Sequence, residues 1–290
     1  DLGLKKKLGF GFNEAIKKPQ VRVKLSDDTQ NGQKLSLGAQ KTTNVIRLHP
    51  ENLNPSLDIN PFHSTNQGNK VSSKGAFHSA AYLLQRCLAD LLDVSPEEIE
   101  LAAITEQQLD DITERSTGRI VLSDELPNGS GFVEYLHNNI ADFFEMCLNP
   151  TSENRYTYSF INKEHAATCK DSCYKDLRNY RNLNYHGILD WRLAVGLIRV
   201  FSDASYLSGL DGNWDYLEIA DWPEMADEYG RDFAITLGIP IDKDPSIYKV
   251  IENIPIISFK NINIIVTHPF WNTSSFPNPT SLSRVVAECE

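Results

Sequence analysis

The spacing of apolar residues in the middle of the chain constrains its fold more than any other feature. From Gly75 onward, apolar side chains recur every three or four residues, which is the period of a helix that buries one face. Two later segments show the same spacing. The pattern predicts amphipathic helices over residues 75–93, 131–148 and 186–201.

Other segments have the alternating or continuous apolar character of strands. Seven of them are predicted: residues 21–25, 34–37, 44–48, 99–104, 119–123, 254–259 and 262–266. The last two flank Lys260 and Asn261 and form a hairpin signal. The predicted fold is α+β, or mixed α/β: N-terminal antiparallel strands, a central α/β core with three amphipathic helices, then an acidic helical stretch and a hairpin.

Changes in composition divide the chain into three regions. Residues 50–74 are rich in Asn, Ser, Pro and Gly and predict a long mobile loop. We therefore place an N-terminal strand region and loop at 1–70, the α/β core at 71–205, and an acidic helical and hairpin extension at 206–290. The chain begins without methionine or a signal peptide, which indicates a piece of a longer protein.

Composition excludes several classes of protein. No apolar run approaches the roughly 20 residues of a membrane-spanning helix. Five cysteines without the spacing of a disulfide scaffold indicate a reducing compartment, so a cytoplasmic location is expected.

Charge limits the contacts that the chain can make with nucleic acid. A net charge of −11 restricts any phosphate contact to a local basic patch. Acidic residues are concentrated in 203–232. This segment is interpreted as a solvated helix face, with a docking surface for a basic partner as the alternative.

A short segment carries most of the metal-binding potential. Candidate ligands follow one another at intervals of four, four and three residues: His165, Cys169, Cys173 and Asp176. One straight helix cannot surround a tetrahedral ion, so a metal site requires a break near residues 171–172. Cys147, at the end of the preceding predicted helix, is a further candidate. The alternative is free thiols packed as small apolar groups.

The same region resembles a known family. Residues 173–182 (CYKDLRNYRN) and 186–192 (HGILDWR), with segments 37–43, 79–92, 99–101 and 124–131 in the same order, are similar to the MrfA-type zinc-binding (MZB) domain family. That family occurs at the C-termini of superfamily 2 DNA helicases and in partner proteins of anti-phage systems such as DISARM. The resemblance implies a helicase-associated role in DNA repair or phage defence.

The ligand set departs from the family pattern. Cys169 and Cys173 match family ligands, whereas the last family cysteine falls on Asp176, with His165 or Cys147 as the completing ligand. Bound zinc and an empty site are the two alternatives. We expect a degenerate, empty site. Binding a metal here requires deprotonation and ordering of the ligands, as in a complete four-cysteine site, but the bonds formed without the fourth cysteine are weaker.

Arginine and tyrosine residues cluster around these ligands. Arg178, Arg181, Arg192 and Tyr180 are the candidates for a surface that contacts phosphates and stacks bases. The alternative is an ordinary helix surface with snorkelling arginines. Asp190 is predicted to form an ion pair with one of the arginines.

Nucleotide motifs are missing from the sequence. The glycine turn at 128–131 lacks the Lys-Ser/Thr of a phosphate loop and is interpreted as a turn and helix cap, and no Walker motif occurs elsewhere. We therefore expect a non-catalytic accessory domain that helps hold DNA and couples to a helicase motor domain or subunit. The alternatives are a pure protein-interaction subunit and a metal-dependent nuclease built on His268 and the acids near Asp211.

Overall fold

A computed structural model describes residues 41–63, 67–110, 115–151, 155–274 and 280–289. The predicted strands at 21–25 and 34–37 lie outside the described residues. The described residues from Thr42 onward form one compact unit. Within it, both sheets are antiparallel and are combined with helices, so the predicted mixed fold is confirmed as α+β.

The first sheet consists of β1 (Val45–Leu48), β2 (Ile99–Asp110) and β3 (Arg115–Asp124), in the order β1-β3-β2. All three were predicted, but β2 and β3 extend beyond their apolar residues. Polar contacts between the two strands stabilise the extended part. Arg119 of β3 donates to Thr105 Oγ1 at 3.0 Å and to Gln107 Oε1 at 2.7 Å on β2.

The remaining elements follow in chain order. The helices are α1 (Gln67–Leu92), α2 (Phe132–Asn138), α3 (Ile140–Leu148), α4 (Lys163–Thr168), α5 (Trp191–Ser202), α6 (Trp222–Thr236) and α7 (Ser281–Cys289). Short 3-10 helices cover Pro96–Glu98, Thr157–Ser159 and Tyr180–Tyr185. The second sheet has the order β4 (Tyr248–Ile251), β5 (Ile254–Phe259) and β6 (Ile262–Ile265). No described helix has the length and apolarity needed to cross a membrane.

Helix α1 is the centre of the core and packs against α5 and the first sheet. The predicted inward residues are Phe77, Ala81, Leu84, Leu88 and Leu91; the first four are fully buried and Leu91 is half-buried. Gly118 on β3 allows the close approach of Phe77, since a Cβ at this position would lie 2.6 Å from the ring. The helix also begins earlier than predicted, so it occupies the end of the segment interpreted as a loop.

Two predicted helices have different boundaries. The segment 131–148 is broken at Asn139, whose φ of −127° and ψ of 26° are not helical. The segment 186–201 becomes helical only at Trp191, because the Asp190 carboxylate accepts hydrogen bonds from the backbone N–H groups of Arg192 and Leu193. Asp190 is thus the N-cap of α5 and not the predicted ion-pair partner.

The C-terminal segments are part of the same structure. The predicted hairpin is confirmed as β5 and β6, and β4 adds a third strand. Phe270 and Trp271 are fully buried in the main core, while Ala234 of α6 joins Ile239 and Ile257 in a smaller one.

The glycine turn at 128–131 has the predicted turn and capping role. The buried Asp124 carboxylate accepts hydrogen bonds from the N–H groups of Ser130 at 2.7 Å, Gly131 at 2.8 Å and Val133 at 3.1 Å. Gly131 adopts a φ of +84°, which favours glycine. The N–H groups that would bind a phosphate are therefore occupied.

We predict that Asp124→Ala lowers the free energy of unfolding by about 2–4 kcal/mol, because three N–H groups lose a charged acceptor. Chemical denaturation would measure the change. Glu134→Gln, on the exposed side of α2, is the control and should change stability by less than about 0.5 kcal/mol. Equal effects of the two substitutions would contradict this role of Asp124.

Candidate metal centre

Four side chains converge on one point, and we call them the four-ligand cluster. His165, Cys169, Cys173 and Asp176 each offer one ligand atom, and these atoms all lie within 4.8 Å of one another. Among the described residues no other group of three or more His, Cys, Asp or Glu residues has this arrangement. The cluster could hold a metal ion.

Local backbone structure explains the convergence. The Asn162 side chain caps α4 by accepting from His165 N at 2.9 Å, and the helix ends after six residues. Cys169 is already extended, with φ −119° and ψ 103°. The required break therefore exists, but it precedes the predicted position at 171–172.

The carboxylate of Asp176 joins the two halves of the cluster. Its Oδ1 accepts from the N–H groups of Cys173, at 2.7 Å, and Leu177. Its Oδ2 lies 3.0 Å from His165 Nε2 and accepts from the Cys169 thiol at 3.3 Å. One oxygen thus fixes the turn while the other faces the remaining ligands.

The spacing of these atoms is compatible with a tetrahedral ion. Cys173 Sγ lies 3.5 Å from His165 Nε2, close to the other two separations. Ligands bonded to zinc at 2.0–2.3 Å in tetrahedral geometry stand about 3.3–3.8 Å apart. The three separations of 3.0–3.5 Å are near this range, and the remaining ones do not exceed 4.8 Å.

The cluster is strongly desolvated. His165 and Asp176 are buried, and Cys173 is half-buried. Burial, reinforced by the Asp176 carboxylate, raises the pKa of the Cys169 thiol. Burial also lowers the pKa of the His165 imidazole, which favours the neutral form that binds metals. A cation at the centre would compensate a buried carboxylate and lower the thiol pKa.

A second layer of contacts fixes the ligand backbone. The Arg192 guanidinium donates from Nη1 to the carbonyl oxygens of Cys169, at 2.8 Å, and Lys170, at 2.9 Å. It also donates from Nη2 to Ala166 O at 2.8 Å, and it pairs with Asp221. Arg192 therefore supports the backbone of the cluster, and its guanidinium group is used in these internal contacts.

The opposite side of the cluster is attached to the core helix. The backbone carbonyl of Asp176 accepts hydrogen bonds from the Arg86 guanidinium of α1 and from the Tyr156 hydroxyl. Arg86 also lies 4.2 Å from the centre of the Tyr156 ring. The cluster is therefore held by α1 on one side and by α5 on the other.

Cys147 lies outside the four-ligand cluster. It is buried in the core, where its thiol contacts that of Cys87 on α1. Burial raises the pKa of the Cys87 thiol well above its usual value. Of the two residues that the sequence offered to complete the ligand set, only His165 lies in the cluster.

The candidate nucleic-acid residues separate into two groups. Arg192, only 7% exposed, cannot form the predicted strand-binding surface, because its guanidinium is used inside the protein. Arg178 is half-buried and donates from Nε to Ser172 Oγ at 2.9 Å. Tyr180 is 83% exposed, and Arg181 is exposed and pairs with Glu97 at 3.2 Å.

Tyr180 has an aromatic neighbour beside the cluster. Its ring centroid lies 6.0 Å from that of the exposed Tyr174, which in turn lies 5.7 Å from the His186 ring. Tyr174 follows Cys173 directly in the chain. We call Tyr174, Tyr180 and Arg181 the tyrosine surface.

The residues proposed for a nuclease do not form a site. His268 is buried between aromatic rings, and burial lowers its pKa to about 3. Its Nδ1 accepts a hydrogen bond from Phe270 N at 3.2 Å. The exposed Asp211 accepts from Asn213 N within its own loop. These contacts indicate structural roles.

No protein-family model, curated protein or solved structure matches the chain. The resemblance to the MZB family therefore depends only on the motifs quoted above.

We predict that Arg192→Met lowers the free energy of unfolding by about 2–4 kcal/mol. The substitution retains apolar volume but removes the guanidinium donor of Ala166 O, Lys170 O and Asp221, and it leaves Cys169 O with only the Trp191 indole N–H. Arg231→Met is the matched control, since it breaks an exposed Arg–Asp pair with Asp227 and should cost less than about 1 kcal/mol. Thermal or chemical unfolding would compare the two, and a cost for Arg192→Met no larger than the control would contradict its supporting role.

Proposed function

We propose that this chain is a zinc-stabilised, non-catalytic accessory domain that binds single-stranded DNA beside its metal centre in a helicase-associated complex. The observation that carries the proposal is the four-ligand cluster, in which imidazole, thiol and carboxylate groups face one point. The tyrosine surface adjoins it. The link to a helicase motor, in repair or phage defence, has its support in the resemblance to the MZB family.

Zinc is the ion that best fits this ligand set. Two thiolates and an imidazole favour a borderline or soft metal over magnesium or calcium, which prefer oxygen ligands. Four protein ligands complete a tetrahedral shell and leave no open position for a reacting water. A structural role is therefore favoured over a catalytic one.

The replacement of the family cysteine by Asp176 carries less weight than the sequence suggested. The carboxylate is held in position by two backbone N–H groups, so much of its ordering cost is met by the fold. Its Oδ2 is left facing the sulfur and nitrogen ligands. This geometry favours an occupied site over the empty one that we expected.

The metal would organise the neighbouring surface. Tyr174 lies between the ligands Cys173 and Asp176, and the Tyr180–Tyr185 helix follows shortly after them. Binding of the ion would order the segment that carries the ligands, because the binding free energy of a structural metal also stabilises the folded state. The tyrosine surface would then be presented in one arrangement.

The tyrosine surface has the composition of a platform for bases. Exposed tyrosine rings stack on bases regardless of sequence, and an adjacent arginine contacts phosphates. Lys175 and the half-buried Arg178 add positive charge nearby. The contact has to be local, because the whole chain carries a net charge of −11.

A protein-interaction subunit is the second candidate. Leu183, between the tyrosine surface and α5, is 54% exposed, and Arg181 is already paired with Glu97. An exposed apolar residue beside tyrosines is also typical of protein interfaces. Binding to DNA separates the two candidates.

We predict about one zinc per chain in untagged protein purified without added metal. Cys173→Ser and Asp176→Ala should reduce the zinc content to less than about 0.1 per chain and lower the unfolding midpoint, because three ligands bind the ion more weakly than four. Cys289→Ser, outside the cluster, is the control. Elemental analysis measures the content, and folded wild-type protein without zinc would contradict this part of the proposal.

We also predict salt-dependent binding of a 15-nucleotide oligo-dT. Tyr180→Ala should weaken it about tenfold, because one base would no longer be stacked. Replacing Arg178 and Arg181 together by Ala should reduce the slope of log K against log salt by about 0.7 for each phosphate that is no longer neutralised. Fluorescence anisotropy measures both quantities.

The half-exposed Tyr158 is the matched control, so Tyr158→Ala should leave oligonucleotide affinity unchanged. If the wild-type chain does not bind at about 50 mM salt, the protein-interaction candidate replaces this one. Zinc content is measured independently, so the two parts of the proposal can fail separately.

A further inference from the structure

The outward face of α6 has two rows of side chains that the metal centre and the tyrosine surface do not use. The inward face of this helix is built from Ala226, Gly230 and Ala234, which are buried at four-residue intervals. Gly230 allows close packing on the second sheet, since a Cβ there would lie 2.9 Å from Tyr248 Oη. The larger side chains of the helix are thereby directed away from the sheet.

The first row is apolar. Tyr229, Phe233 and Leu237 follow one another at four-residue intervals and are 40%, 46% and 56% exposed, and the nearby Ile235 is 60% exposed. Single exposed apolar residues are common on proteins. Tyr229, Phe233 and Leu237 lie on one side of the helix and form an apolar strip, which is typical of a binding surface. Ile235 lies outside this strip, because it is two residues from Phe233 and therefore about 200° away around the helix axis.

The second row is acidic and runs beside the first. Glu224, Glu228 and Asp232 are exposed and are also spaced by four residues. Glu228 directly precedes Tyr229, and Asp232 directly precedes Phe233. The only basic residue of α6, Arg231, forms an ion pair with Asp227 at 2.7 Å. Lys170 contacts Glu228 at 2.8 Å, and both side chains of this pair are largely exposed.

We infer that this acidic and apolar face of α6 is a docking surface for a basic amphipathic helix of a partner protein. Apolar residues of the partner at four-residue spacing would cover Tyr229 and Phe233, and adjacent Lys or Arg residues would pair with the acidic row. Charge complementarity selects this occupant. The inference goes beyond the proposed function and depends on neither zinc nor DNA.

The same charges oppose other occupants. Nucleic acid would place phosphates against the acidic row. A second copy of the chain, related by two-fold symmetry, would bring the acidic rows of two α6 helices near each other. A basic helix meets both rows favourably.

The test uses a designed 20-residue helical peptide with Leu every fourth residue and Lys at the adjacent positions. A peptide of identical composition but scrambled order is the comparison. We expect the patterned peptide to bind the full chain more tightly than the scrambled one, with an affinity that falls as salt rises. Titration calorimetry or anisotropy measures both.

Variants locate the surface. Phe233→Ser should weaken binding of the patterned peptide about tenfold or more. The double variant Glu228→Lys, Asp232→Lys should also bind the patterned peptide more weakly. It should instead bind a peptide in which Glu replaces each Lys more tightly than the wild-type chain does. The matched controls are Glu134→Lys and Tyr135→Ser, an exposed acid and an exposed tyrosine on α2, which should change nothing. Circular dichroism and thermal unfolding confirm that each variant is folded.

Three results would overturn the inference. The first is no binding of the patterned peptide up to about 1 mM, or equal binding of the scrambled one. The second is unchanged affinity in folded Phe233→Ser protein. The third is self-association in sedimentation that Phe233→Ser abolishes, which would assign the face to a second copy of the chain.

Discussion

The Asp176 carboxylate is the contact on which the candidate centre depends. Its two oxygens have different partners, since one closes the backbone turn while the other faces His165 and Cys169. The backbone carbonyl of the same residue is bound by Arg86 from the core helix α1. This one residue thus joins the turn, the ligands and the core. Because a buried carboxylate is costly without compensation, this position gives a physical reason for a cation at the centre.

Periodicity predicted the parts of the fold that depend on burial of one face. The inward positions of α1 follow from apolar spacing, and the hairpin of β5 and β6 follows from two apolar segments on either side of the Lys260-Asn261 turn. The early start of α1 does not, because Asn69 is buried and donates to Trp271 O at 3.2 Å, a contact that spans 202 residues. The break at Asn139 was also missed, since the apolar spacing continues through it. Contacts between distant segments carry no local signal.

The difference between local patterns and long-range contacts also explains which site residues were predicted correctly. Intervals of four, four and three residues placed His165, Cys169, Cys173 and Asp176 together, since the ligands lie within one short segment. Cys147 and Arg192 were misplaced because their partners are distant in sequence: one thiol contacts Cys87 on α1, and the guanidinium binds carbonyl groups more than 20 residues away. Asp190 was also assigned wrongly, as an ion-pair partner, but for this residue the sequence does contain a signal of its true role. It directly precedes an apolar helical pattern, which is the position of an N-cap.

The contacts that support the candidate metal centre reach α6 mainly at the beginning of the helix. Asp221, bound by Arg192, directly precedes α6, so the first turn of the helix shares its support with the carbonyl of Cys169. The far end has a different support, because Ala234 packs in the smaller core with Ile239 and Ile257. Lys170 and Glu228 add an exposed ion pair between the two regions, and such pairs contribute little. If the candidate centre holds zinc as we propose, removal of the ion would loosen the beginning of α6, while the far end would keep its support from the smaller core. The proposed peptide binding around Phe233 and Leu237 should then survive removal of zinc.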